Sequence, residues 1–104
     1  MKICISSDFS ETPGARYRSE GDYSGEEFRD ELLAPQFVAA RKLGEKLIID
    51  MDGGYGYPTS FLEEAFGGLA RKYGAKEVFE VLEFISNDEP SLIDEIKGYI
   101  QGKG

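Results

Sequence analysis

A chain of 104 residues, 40% of them hydrophobic, can bury roughly 60–70% of its unfolded surface around one core and is too short for two. Twelve Lys and Arg against 20 Asp and Glu leave a net charge of −8, so a nucleic-acid backbone or an anionic membrane repels the molecule as a whole. Histidine is absent, which removes the commonest general base, the Ser-His and Cys-His dyads and every His-based zinc site.

In chain order, KICI (2–5) has the composition of a first strand, with Ile3 and Ile5 on one face and Cys4, the single cysteine, as a buried spectator. Thr12-Pro13-Gly14 marks a turn, after which ARYRS (15–19) is expected to pair back as a second, more polar strand. Ser24 followed by Glu27 is a capping box, so the first helix begins near Gly25. Phe28, Leu32 and Leu33 share a face, and Phe37, Val38 and Ala40 continue the stripe beyond Pro35. The missing donor and the ring clash of that proline predict a kink or a fresh helical start, and Gly44 ends the helix.

KLIIDM (46–51) is a nearly continuous apolar run, the pattern of a central strand buried on both faces. After a Gly- and Tyr-rich loop, Ser60 and Glu63 form a second capping box. In the helix that follows, steps of 100° place Phe61, Leu62, Ala65, Phe66, Leu69 and Tyr73 on an apolar face and Glu63, Glu64, Gly67 and Arg71 opposite it. AKEVFEVLEFIS (75–86) divides into a short helix and a strand from about Leu82 to Ser86. Ser91 caps a final amphipathic helix in which Leu92, Ile93, Ile96, Tyr99 and Ile100 recur at helical spacing. The fold class expected is a small α/β domain over residues 1–104, a mixed sheet of about four strands covered by about four helices, with ligands and partners meeting the loops at the carboxyl ends of the strands.

The junction LIIDMDGGYGYPTS (47–60) is one of those loops, and it admits three readings. LIIDMDGG resembles the first motif of the haloacid-dehalogenase-like phosphatases, which implies Asp50 as nucleophile and Asp52 as general acid beside magnesium. That family's later basic residue and further metal ligands have little room in the 52 residues that follow, and Gly54-Tyr55 stands where a hydroxyl-bearing residue is expected. An aspartate before a glycine turn also serves simply to bond backbone N–H groups. Alternatively, the backbone of the Gly53–Gly56 loop can cradle an anion or nucleotide, although no P-loop Lys-Ser/Thr follows it. The third reading is a docking surface. Tyr55, Tyr57 and Phe61 either close the core or meet a ligand, and Tyr55 at the loop tip is the contact candidate. Gly67, outside the apolar stripe, is expected to make a flat patch where another backbone approaches.

YSGEEFRDELLAPQF, LIIDMDGGYGYPTSFLEEAFGGLARKYG and LEFISND together resemble a bacterial STAS-like family of unknown function, related to the anti-sigma-factor antagonists. The most specific segment is SFLEEAFGGL. The resemblance implies a STAS-like fold and a non-enzymatic, regulatory style of function. In the better understood STAS domains a strand ending in Asp leads to a hydroxyl pair at a helix start, which a histidine-kinase-like ATPase phosphorylates to switch partner binding. By position, Asp50 ends the strand and Thr59 and Ser60 fall at the hydroxyl pair. Pro58 replaces the acidic residue that precedes the hydroxyl there, and Phe61 replaces a glycine. The expectation is therefore a protein-interaction module, not an enzyme, with candidate phosphorylation at Thr59 or Ser60 and a partner surface of Tyr55, Tyr57, Glu63, Glu64, Gly67 and Arg71. No catalytic residue, metal or cofactor is implied. The partner is another protein, a histidine-kinase-like ATPase or a sensor-regulator, with no nucleic acid and no membrane, and the chain is a monomer or weak homodimer. No apolar run approaches the ~20 residues of a membrane span and MKICISSDFS lacks the features of a signal peptide, so a cytoplasmic location is expected.

Overall fold

The computed structural model describes residues 1–103. Three short apolar runs form a sheet: β1 (Lys2–Cys4), β2 (Leu47–Asp50) and β3 (Leu82–Ile85), all parallel and in that spatial order. Ile3 pairs with Ile49 and Ile49 with Phe84. Side chains alternate along each strand, so one face carries Ile3, Leu47, Ile49, Leu82 and Phe84, and the other carries Lys2, Cys4, Ile48, Asp50, Glu83 and Ile85.

The α/β class and the central place of β2 agree with the sequence. The expected fourth strand does not form, and the sheet is parallel throughout. Residues 15–19 instead serve a helix start. The first-turn N–H groups of a helix have no partner within it, and here Gly25 donates to the Ala15 carbonyl at 2.9 Å and Glu26 to that of Arg16 at 3.0 Å. The chain then makes a 3-10 turn at Arg18–Glu20. β2 is also covered on one face only. Consecutive right-handed crossovers in a 1-2-3 sheet bring their helices to the same side, and Ile48 and Ile85, on the other side, lie outside the core cluster. Cys4, on that same side, is half-buried.

Five helices complete the fold. α1 is a single turn, Ile5–Asp8. α2 runs over residues 25–43 and keeps helical geometry through Pro35, with no break. Just before the proline the helix widens into a π turn at Arg29–Leu33, which gives room to a ring that has no N–H to return to the preceding turn. Its start is capped as expected, with Ser24 Oγ accepting from Glu27 N–H at 3.0 Å, while the Glu27 carboxylate bonds Tyr23 N–H at 3.2 Å.

α3 spans residues 59–73 and contains a second π turn, Glu63–Gly67. It opens at Thr59 with Pro58 in the capping position and no side-chain cap, so the Ser60–Glu63 capping box is absent. α4 (Ala75–Val81) leads directly into β3, and α5 (Ser91–Ile100) follows Pro90 without a side-chain cap.

The core is aromatic where α2 meets α3. Phe28 lies 5.7 Å from Phe61 and 6.1 Å from Phe66 between ring centroids, and Phe9 closes on Phe28 at 5.3 Å. Such close contact needs Gly25, because a Cβ there would stand 2.6 Å from the Phe61 carbonyl oxygen. Among the described residues no helix is long and apolar enough to cross a membrane.

Candidate functional site

The loops leaving the three strands meet at the carboxyl end of the sheet, and Asp52 ties them together. Its Oδ1 accepts Asp88 N–H at 2.8 Å, its Oδ2 accepts Asn87 Nδ2 at 3.1 Å, and its carbonyl accepts the Ser6 hydroxyl at 3.1 Å. Asp88 returns the contact, taking Gly53 N–H at 3.1 Å. Asp50 turns back on its own loop, where Oδ1 accepts Asp52 N–H at 3.0 Å, and Oδ2 stands 3.7 Å from Lys2 Nζ. A nucleophile and a general acid must converge on one reacting centre. Here both carboxylates accept backbone and side-chain donors that shape the loop. Among the described residues, no three His, Cys, Asp or Glu side chains are disposed to hold a metal ion.

Two N–H groups of the glycine loop are similarly committed. Gly53 N–H is taken by Asp88, and Tyr55 N–H is donated to the Glu11 carbonyl at 2.9 Å. Gly53 has φ 93°, and a Cβ there would stand 2.8 Å from Ser6 Oγ, so this glycine is required by a left-handed turn pressed against β1's exit. An anion would find these two donors occupied and the Asp88 carboxylate alongside.

Above this latched base the loop is open. Tyr55 is 83% exposed. It separates a cavity of about 260 Å³, reaching Met51, Ser86 and Leu92, from one of about 370 Å³ lined by Thr12, Pro13 and Pro58. Tyr57 is half-buried, its ring 6.1 Å from Phe61 and its hydroxyl donating to the Met51 carbonyl at 2.7 Å. Burial, reinforced by the negative charges of Asp50 and Asp52, holds that phenol well above its ordinary pKa. Tyr57 therefore pins the loop, whereas Tyr55 presents it. Thr59 is exposed and Ser60 half-buried. Thr59 lies beside Tyr99, whose hydroxyl donates to Glu95 Oε2 at 2.7 Å.

The expected outer face of α3 is free only in part: Arg71 is exposed and Glu63 half-buried, and with Gly67 and Tyr99 they line an open cavity of about 370 Å³. Glu64 is 8% exposed and Gly67 is buried. Arg16 Nη1 lies 2.5 Å from Glu63 Oε1 and 3.3 Å from Glu64 Oε1. Arg29 Nη1 reaches Glu64 Oε2 at 2.5 Å and the Glu64 carbonyl at 2.9 Å, and Arg71 Nη1 reaches Glu63 Oε2 at 2.5 Å. Hydrogen bonds from Arg71, then Arg16, hold the Glu63 carboxyl below its ordinary pKa.

The paired glycines make room for these ion pairs, Gly67 beside the Glu63 carboxylate and Gly68 beside the Arg29 guanidinium. A Cβ on Gly67 would stand 2.5 Å from Glu63 Oε2, and one on Gly68 would overlap Arg29 Nη1. The expected flat patch is thus a recess floored by the chain's own ion pairs and open to solvent beside Arg71. Two physical causes separate it from the sequence reading. The π turn shifts every residue beyond it relative to a 3.6-residue period, and Arg16 and Arg29 come from segments 47 and 35 residues away. The Gly67-Gly68 pair inside a helix was the one local sign of them.

The family model of the STAS-like domain of unknown function (DUF4325) matches residues 24–92, from the Ser24 cap of α2 to the first turn of α5. No curated protein and no solved structure matches the chain.

Proposed function

We propose a function from one premise: the chain belongs to the STAS-like family of unknown function. The protein is a non-enzymatic interaction module of a regulatory system, and it meets its partner with the loop from Tyr55 to Thr59. The partner is a protein, of the histidine-kinase-like ATPase or sensor-regulator kind that the kinship with anti-sigma-factor antagonists suggests. One observation carries this reading. An aromatic side chain left 83% exposed stands on a loop whose base is fastened by Asp52, Asp88 and Tyr57. A tyrosine offers a large contact area with few rotatable bonds, and a loop already ordered loses little entropy on docking.

The switch is phosphorylation at the start of α3, on Thr59 before Ser60, because Thr59 is the more exposed of the two. Negative charge is favoured at a helix N-terminus. The same phosphate would stand beside the Tyr99–Glu95 hydrogen bond and alter the surface next to Tyr55. Mass spectrometry of protein from its native cells, with and without phosphatase treatment, tests the switch. Partner retention by wild type, Tyr55→Ala and Thr59→Glu tests the surface. The expected result is a phosphatase-sensitive Thr59 and loss of the partner in both variants. Unmodified Thr59 and Ser60 throughout, with full retention by Tyr55→Ala, refutes the reading. Magnesium-dependent phosphomonoester hydrolysis that disappears in Asp50→Asn would show an enzyme instead.

A further inference from the structure

All-parallel sheets occur almost only with both faces covered, because their strands are apolar on both sides. The other face of this sheet carries Ile48 and Ile85 outside the core cluster, half-buried like Cys4 beside them, between the exposed Lys2 and Glu83. None of these contributes to the Tyr55 loop surface. The register arranges the face in two rows. Lys2, Ile48 and Glu83 form one row across β1, β2 and β3, and Cys4, Asp50 and Ile85 form the next.

The first row is self-complementary. Rotation by half a turn about a line along β2 exchanges β1 with β3, so the cation at one end of the row meets the anion at the other end, twice. A two-fold interface asks for this relation, in which residue i touches j and j touches i. We propose that two copies of this chain pack these faces together about a two-fold axis running along β2.

In that arrangement Lys2 of each copy faces Glu83 of the other, Ile48 meets its own mate on the axis, and Cys4 packs on Ile85. Asp50 also meets its mate. Its charge is offset within the chain by Lys2 at 3.7 Å and by the Asp52 N–H at 3.0 Å. Three strands about 4.8 Å apart and about 3.3 Å per residue give a footprint of roughly 150–200 Å² per copy. This is far below the about 800 Å² per partner of a standard interface. The net charge of −8 per chain adds repulsion, screened beyond about 8 Å at physiological salt. The dimer is consequently weak.

Sedimentation velocity from about 20 µM to about 1 mM, at about 150 mM salt, tests the pairing, with thermal melts confirming that each variant is folded. Wild type should shift toward dimer across this range. Lys2→Glu and Glu83→Lys should each self-associate at least about tenfold more weakly, because both symmetric pairs become like-charged. Mixed in equal amounts, these two variants should recover dimerisation, since each then supplies the charge the other lacks at both pairs. Wild type that stays monomeric to about 1 mM leaves the face to a different occupant and overturns the proposal. Single reversals that associate like wild type, or a mixture of folded variants that stays monomeric, also overturn it.

Discussion

Gly25→Ala separates local helix preference from tertiary packing, because the two give opposite signs. Alanine is favoured over glycine in helices by up to about 1 kcal/mol, so a reading of α2 alone expects the variant to be stabilised. The α2–α3 contact expects the reverse. The new Cβ would lie 2.6 Å from the Phe61 carbonyl oxygen, 3.0 Å from Glu64 Cβ and 3.2 Å from Phe61 Cα. Two of these atoms are backbone and cannot swing aside, so the helices must separate where Phe28, Phe61 and Phe66 interlock. Overpacking of this kind costs about 1–3 kcal/mol. At about 4–8 °C per kcal/mol for a domain of this size, Tm should fall by about 10 °C. Thermal unfolding followed by far-UV circular dichroism measures it. Gly98→Ala is the control: this glycine lies within α5 and a Cβ there meets nothing within 4 Å, so Tm should rise by a few degrees, for a gain of about 0.5–1 kcal/mol. A Gly25→Ala protein that melts at or above wild type would refute the close-contact argument.

Glu63→Gln probes the arginine cluster through pH. The Glu63 carboxyl is held below its ordinary pKa by Arg71 and Arg16, so its contribution to stability is present above the unfolded value of about 4.3 and is lost as pH falls through the lower, folded value. The urea midpoint of wild type should exceed that of the variant at neutral pH, and the gap should close on acidification below about pH 4; a gap that is constant or widens contradicts the ion-pair assignment. Asp52→Ala removes the acceptor of the Asp88 N–H and the Asn87 amide, at a cost of about 1.5–3 kcal/mol for bonds to a charged group. Hydrogen exchange should accelerate at the amides of Gly53 and Asp88 and stay unchanged in α5. Uniform acceleration across the protein would mean that Asp52 supports the whole fold and is not a loop latch.

Much of the architecture was legible because it is written at short range. The alternation in KICI, KLIIDM and LEFI, the Ser24–Glu27 cap and the 3.6-residue spacing in Ser91–Ile100 each involve residues a few positions apart, and each produced the expected element. ARYRS is different. Its composition permits a strand, but its backbone is claimed by the unpaired N–H groups at the start of α2, a competitor visible only when the two segments are side by side. Ser60 was misread for a related reason: Pro58 already sets the entry to α3, and the arginines outbid the helix start for Glu63.

At the site, the aspartates at the end of β2 and the exposure of Tyr55 followed from the strand-loop-helix pattern alone. The partners of those aspartates did not. Asn87 and Asp88 reach Asp52 from the end of β3, and Ser6 reaches it from beyond β1. The sequence by itself determined most of the element types, the acidic charge and the chemistry missing for want of histidine, because these depend on composition and local period. Only the tertiary structure decided that the carboxylates latch loops, that Gly67 and Gly68 make room for ion pairs, and that Ile48 and Ile85 on one side of the sheet lie outside the core. Those outcomes depend on which distant segments arrive at the same place, and on two π turns that shift the helical faces on which the sequence pattern was counted.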